Sequence, residues 1–298
     1  MDVPIDYFTE RHWDNVAATQ AFGSTSCVKA LIESMRDSIG DMRGRDILDV
    51  GVGNGALAVA YAAEGARVVG IDLSRRGLKD FHSLLNMCWE GLVAGPTVRL
   101  FHMDAQRVGF RSDSFDFITM LKTIWVFPDP AACLRQLSRI LRPGGKLVIQ
   151  CWEAPDDCSL LTTGAKILGE RVPSLQPPRG ANGPFDFTPG RIERLLRATG
   201  FQDVAFRHYN EAFNVESPGH YWELFRSLAD TAYYAFASQS DAERESITAE
   251  WLARTGDLWS RNGLQLRLRW MVVDATAADH VRASAQHECE GTAPALST

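Results

Sequence analysis

The chain has 298 residues, 45% of them apolar and 23% charged, ordinary proportions for a globular protein of one large or two small domains. Its formal charge is −6, with 31 basic against 37 acidic side chains and no basic run of nucleic-acid type, so no nucleic-acid partner is expected. No apolar stretch reaches the roughly 20 residues of a membrane span, and Met1-Asp-Val-Pro-Ile-Asp6 lacks a signal-peptide pattern, so the expectation is cytoplasmic residence.

Residues 7–39 place Val16, Ala17, Ala21, Val28, Leu31, Ile32 and Met35 at helical spacing, with Gly23-Ser-Thr-Ser26 as an interruption that can cap a second helix. An apolar strand, Ile47–Val50, then enters a turn built on Gly51, Gly53 and Gly55, and a helix over 55–64 leaves it. Glycines let the backbone turn tightly and approach a ligand, and the helix start offers N–H donors to a negative group. The next strand, 67–72, ends in Asp72, 19 residues after Gly53. That is near the spacing at which a dinucleotide fold sets a carboxylate on ribose hydroxyls. Two features oppose a pyrophosphate. Asp49 lies inside the first strand, and the turn is Gly-x-Gly-x-Gly, not Gly-x-Gly-x-x-Gly. A carboxylate repels a pyrophosphate and tolerates an ammonium or sulfonium.

A helix over 75–90, strands 97–102 and 115–120, a helix over 130–141 and a strand over 145–151 continue the alternation, which argues a parallel sheet covered on both faces. Asp49, Asp72 and Asp104 could singly be a buried turn acid, a strand-end cap and a helix N-cap. Together they mark the ends of three consecutive strands, where ligands gather in such sheets. A proline-rich connection, 154–188, leads to a helix over Pro189–Thr199 stopped by Gly200, then to a sixth strand, Phe201–His208. Residues 209–263 intervene before a seventh strand, Leu264–Ala275. In them Ser217 caps a helix whose apolar stripe is Trp222, Phe225, Leu228, Ala229, Ala232 and Phe236, and Asp241 opens another carrying Ile247, Trp251, Leu252 and Leu258. The six cysteines form no C-x-x-C pair, so reduced thiols are expected and no metal site.

Asp49-Val-Gly-Val-Gly-Asn-Gly55 resembles the first motif of the class I S-adenosylmethionine-dependent methyltransferases. The likeness continues in order through Val98–Ala105, Ser114–Met120, Phe127-Pro-Asp-Pro130 and Arg142-Pro-Gly-Gly-Lys-Leu-Val-Ile149, over roughly residues 44–153. The chain is most similar to the ubiquinone/menaquinone-type and natural-product branches. The resemblance implies an α/β fold: a Rossmann-like seven-stranded sheet with helices on both faces and an antiparallel last strand. It divides the chain into an N-terminal helical lid (1–43), a core (44–208 and 264–276), a helical insert over the acceptor site (209–263) and a flexible tail (277–298).

The implied cofactor is S-adenosyl-L-methionine, leaving as S-adenosyl-L-homocysteine. Gly51, Gly53, Asn54 and Gly55 would face its methionine part, Asp49 its ammonium, and Asp72 with Leu73 its ribose. Asp104 would accept from the adenine amino group, with the Ala105 N–H near a ring nitrogen; Met120 and Leu121 would border both ligands. Trp13, with Tyr7, Phe8 and Ser26, is a candidate for the lid. The segment after the fourth strand lacks the Asn/Asp-Pro-Pro-Phe/Tyr signature of amino-group methylation on bases or glutamine. A small-molecule acceptor is therefore expected: an aromatic, enol or polyketide-like natural-product intermediate methylated at oxygen or carbon. Where many relatives carry paired histidines, this chain has Trp125-Val126. His208 and His220 are the candidate catalytic bases, ahead of Glu153 and His102, and Trp125, Trp152, Tyr221 and Trp222 are candidate acceptor walls or core packing. Two other readings stand beside this one: a cofactor-binding protein without turnover, and a nicotinamide oxidoreductase, against which the glycine spacing argues. A homodimer is compatible with all three.

Overall fold

A computed structural model describes residues 9–19, 25–89, 98–172, 181–262 and 264–278. Seven strands form one sheet: β1 (Asp46–Val50), β2 (Arg67–Asp72), β3 (Val98–His102), β4 (Phe115–Met120), β5 (Leu141–Trp152), β6 (Phe201–Val215) and β7 (Leu264–Ala277). Their spatial order is β3-β2-β1-β4-β5-β7-β6. The first five are parallel, and β7 runs antiparallel to both of its neighbours. The strand order reverses between β1 and β4, which opens a crevice at their carboxyl ends.

Buried residues alternate between the two faces of the sheet, as the two-residue period of a strand requires. On β1, Ile47 faces one core while Leu48 and Val50 face the other; on β5, Val148 opposes Leu147 and Ile149. The first face carries α2 (Ser26–Ile39), α3 (Ala56–Ala63) and α4 (Arg75–Trp89); the second carries α5 (Pro130–Ile140) and α7 (Pro189–Ala198). Local chemistry fixes their starts. The Thr25 hydroxyl accepts from Val28 N, and the Asp129 carboxylate accepts from Ala132 N with Pro130 in the first turn.

The remaining helices build a cover on the first face: α6 (Ser159–Gly169), α8 (Pro218–Leu228), α9 (Asp230–Ala237) and α10 (Asp241–Asn262). The proline-rich connection 154–188 is not all irregular. Its described part contains α6, which packs against α8 and α10 so closely that a Cβ on Gly164 would stand 2.5 Å from Phe225 and 2.6 Å from Trp251. Trp222 and Trp251 meet edge to face at 4.7 Å, with Tyr221, Phe225 and Phe236 around them. The two long connections thus share one aromatic core. A first helix, α1 (Glu10–Ala17), lies across the cofactor-side edge of this cover: Asn15 Nδ2 donates to Tyr234 Oη at 3.2 Å.

Three boundaries differ from the sequence reading. The sixth strand does not stop at His208; it continues to Val215, paired with Leu264–Arg269, because Phe213 and Val215 keep the alternation past the polar Asn210 and Glu211. The helical insert therefore begins at Pro218, not at 209. The apolar stripe Trp222–Phe236 is not one helix: Ala229 leaves helical geometry (φ −111°, ψ 55°) and divides α8 from α9. The fifth strand starts at Leu141, four residues before expectation. Tyr7, Phe8 and residues 279–298 of the expected tail lie outside the described residues. Among the described residues no helix is long and apolar enough to cross a membrane.

Candidate active site

The glycine turn after β1 is shaped for close approach. Gly53 and Gly55 adopt φ of +51° and +79°, a region L side chains rarely occupy. A Cβ on Gly55 would stand 2.0 Å from the Phe81 ring, so this position packs the turn onto α4. A Cβ on Gly53 would meet nothing nearer than the Gly51 carbonyl at 3.8 Å. Gly53 therefore presents bare backbone to an open space. That space is a cavity of about 380 Å³, lined by the ends of β1 and β2, the segments after β3 and β4, and parts of α1, α8 and α9.

Three carboxylates reach this cavity from the strand-end side of the sheet. Asp72 ends β2; its Oδ2 accepts from Gly53 N and its Oδ1 from Ser74 N, both at 2.9 Å, so the acid also pins the glycine turn. Burial raises its pKa, and those N–H donors oppose the rise. Each oxygen keeps a second lone pair for a ligand hydroxyl. Asp49 is 2% exposed and accepts from Thr119 Oγ1 at 3.0 Å. Burial pushes its pKa up to about 7, with the Asp72 charge adding to the rise. Asp104 caps the short turn Ala105–Arg107, accepting from Gln106 N at 2.8 Å, while still lining the cavity. Cap and cavity wall are compatible roles for one carboxylate.

Of the other expected cofactor residues, Gly51, Asn54, Leu73, Ala105, Leu121 and Trp13 line the cavity. Gly55 and Met120 do not: Gly55 sits behind the turn, and Met120 is fully buried beneath it. Trp13 is presented by α1, which is tied down by Asp14 accepting from Ser74 Oγ at 2.8 Å and Arg76 N at 2.9 Å. Ser26 is the first residue of α2 and lies off the lining, whereas its neighbour Thr25 lies on it.

The acceptor-side candidates all lie off the cavity lining. His208 lies on β6, opposite Met271, with Nδ1 at 2.5 Å from Glu153 Oε1, and does not line the cavity. It lies midway along β6, the edge strand of the sheet, with its side chain exposed. His220 uses Nδ1 to accept from Glu216 N at 3.2 Å, closing the first turn of α8 on its exposed side. His102 is bound to the Leu73 carbonyl at 3.1 Å, and Glu153 is shared with His208 and Arg269. The four aromatic residues also stay out of the lining. Tyr221 is buried and donates to the Leu160 carbonyl at 2.9 Å; Trp222 belongs to the cover's core; Trp125 pairs with Trp152 at 6.4 Å.

What does line that end is polar and was missed. Glu223, Arg226, Ser227 and Asp230 face the cavity, with Lys122, Thr123, Thr25 and Tyr233. Positions 223, 226, 227 and 230 are spaced as one helix face, so the signal was a polar stripe on the expected helix. Lys122 had no sequence signal. It follows β4 with φ +58° and donates from Nζ to Asp230 Oδ2 at 2.9 Å and to the Ser227 carbonyl at 3.2 Å.

Residues 48–149 match the family described as Methyltransferase domain. The chain is similar to the ubiquinone biosynthesis O-methyltransferase of Aeromonas salmonicida, 28% identical over 206 residues, 67% of this chain and 80% of that one. It is 32% identical to the demethylmenaquinone methyltransferase of Clavibacter sepedonicus over 182 residues, 57% of this chain and 71% of the other. The chain belongs to the class I S-adenosylmethionine-dependent methyltransferases. Its fold is shared with phosphoethanolamine N-methyltransferase 2 of Haemonchus contortus, solved with S-adenosyl-L-methionine: TM-score 0.55, 20% identity, 93% of this chain and 60% of that one. The methyltransferase uses S-adenosylmethionine, and its cavity suits that group. Bare backbone at Gly53 leaves room that any side chain would fill, and the acids offer acceptors to ammonium, hydroxyl and amino groups. These findings set aside the nicotinamide reading.

Proposed function

We propose that this methyltransferase acts on a small aromatic or enol molecule of the quinol type, at oxygen or carbon, in the part of the cavity walled by α8 and α9. One observation carries the reading. A single cavity runs from the strand-end acids to the polar face of α8, so cofactor and acceptor would share one volume. The relatives' names supply the acceptor class: ubiquinone biosynthesis O-methylation and demethylmenaquinone methylation.

In this reading Asp72 takes the ribose hydroxyls, Asp104 and the Ala105 N–H take the adenine edge, and Asp49 faces the ammonium near Gly51 and Gly53. The bound cofactor supplies an electrophilic methyl carbon on a sulfonium. The protein's own work is alignment and exclusion of water. Helix α1 closes one side through Trp13, and the cover α8–α10 closes the other. The account places no histidine at the reacting atoms, because both candidates lie off the lining. An acceptor that ionises readily then needs alignment alone; one that keeps its proton loses the ~10²–10⁴-fold a positioned base supplies.

The test is incubation with S-adenosylmethionine and a demethylated quinol or catechol bearing a short side chain. Product mass and S-adenosylhomocysteine release are followed together. The reading requires a gain of one methyl group matched by one S-adenosylhomocysteine. Cofactor binding with no methylated product from any phenol or enol in the set would refute the acceptor class.

A further inference from the structure

Lys122 joins the two halves of the cavity. Its backbone follows β4 beside the glycine turn: the next residue, Thr123, lies where a Cβ on Gly51 would stand, 2.4 Å from Thr123 Cγ2. Its side chain reaches the opposite wall, where Nζ donates to Asp230 Oδ2 at 2.9 Å and to the Ser227 carbonyl at 3.2 Å. The backbone N–H is held by Gln150 Oε1 at 3.2 Å. A lysine at φ +58° is in a strained backbone region, which these three contacts hold in place. An ammonium has three donors. Two are spent on the cover, and the side chain still lines the cavity.

The other cavity cation is differently disposed. Arg226 is turned onto its own helix, with Nε at 2.8 Å from Glu223 Oε2 and the guanidinium 5.6 Å from the Tyr233 ring centre. Among the described residues, Asp230 is the carboxylate paired with Lys122. Thr25 Oγ1, 2.9 Å from Ser227 Oγ, completes the polar surface around it.

We propose that Lys122 binds the nucleophilic oxygen of the acceptor as an oxyanion, a phenolate or enolate, through its third N–H. Asp230 is its positioning residue. The inference rests on the small-molecule reading above and names the group that makes a separate base unnecessary. A protonated lysine has no lone pair and takes no proton. The acceptor's proton goes to water on binding, and the fixed positive charge favours the ion left behind. The acceptor's electron pair, on oxygen or on the conjugate carbon, then forms the bond to the methyl carbon. The sulfur–methyl bond breaks and its pair stays on sulfur, so the sulfonium charge and the anion's charge cancel.

The experiment uses the full chain saturated with S-adenosylhomocysteine and 4-nitrocatechol as probe, whose phenolate is read by visible absorbance against pH. In the wild type the bound probe ionises about 1–3 pH units below the free probe, the range for a neighbouring opposite charge. In Lys122→Met this depression disappears and affinity for the phenolate falls at least about tenfold, while Lys122→Arg keeps most of both. S-adenosylhomocysteine affinity stays the same in all three, which shows that the site is intact. Lys122→Gln gives the same readout if the Met variant does not fold. An equal depression in the wild type and in either uncharged variant overturns the assignment. If such a variant also methylates the probe normally, the small-molecule reading stands and Lys122 alone is wrong. A wild type that neither binds nor methylates the probe or the quinols overturns both.

Discussion

Asp49 is the residue at which burial has the clearest functional consequence. Its ordinary carboxyl pKa of 3.8 is pushed to about 7 by desolvation. The ligand-free protein therefore holds the proton more tightly than the unfolded chain. The stability this group contributes is fully present below the unfolded value and is lost as pH rises through about 7. A cofactor ammonium placed beside Asp49 reverses the preference, because it favours the ionised form. Cofactor affinity should thus rise with pH up to about 7, and binding at about pH 6 should release a proton. Calorimetry of S-adenosylhomocysteine in buffers of different ionisation enthalpy reads this release. Asp49→Asn should remove most of it, and a wild type showing no buffer dependence would separate Asp49 from the ammonium. The three acids were legible in the sequence because strand ends and glycine spacing put them at one crevice. Lys122 was not, since its role depends on a left-handed backbone and on Asp230, 108 residues away. The positions of the histidines were not legible for a related reason: their neighbours in sequence are aromatic, but His208 faces Glu153 on β6 and His220 accepts from Glu216 N at the start of α8.

At the scale of elements, the core helices and strands were readable because caps, glycine stops and apolar periods agree with one another. Pro130 behind Asp129, Ser217 before Pro218 and the buried alternation of β1 and β5 are examples. The breaks that were missed are set by tertiary contacts. Ala229 has no breaker chemistry, yet α9 restarts at Asp230, the partner of Lys122. Helix α6 was hidden because its reason to exist is the far-off surface it covers. Gly164 makes this testable. Gly164→Val forces methyl groups into Phe225 and Trp251, contacts with no flexible side-chain end to give way. The expected loss is about 1–3 kcal/mol or more in thermal or denaturant unfolding. A variant as stable as the wild type would mean that α6 is not packed on α8 and α10 as described.

For the whole molecule, the sheet and the cover divide the work. The sheet ends carry Asp49, Asp72 and Asp104 on the cavity, and α8 and α9 carry the polar wall opposite. Replacing residues 218–262 with a short loop between β6 and β7 should leave cofactor binding largely intact and abolish methyl transfer. A shortened protein that folds and still methylates a quinol at the normal rate would show that the cover is not part of the acceptor site. The doubly wound architecture was visible from the alternating pattern alone. The joining of residues 154–169 with 218–262 into one cover was not, because each long connection packs on the other as well as on the sheet and α2.

The central claim is that the strand-end acids, Asp72 foremost, hold S-adenosylmethionine. Its most direct test is a calorimetric titration of S-adenosylhomocysteine into the wild type and into Asp72→Ala. The wild type should bind with micromolar affinity. The variant should lose roughly 1–3 kcal/mol, about 5- to 150-fold in Kd, as charge-assisted hydrogen bonds to the ribose disappear. Equal affinity in the two folded proteins, or binding of NAD in place of S-adenosylhomocysteine, would contradict the claim.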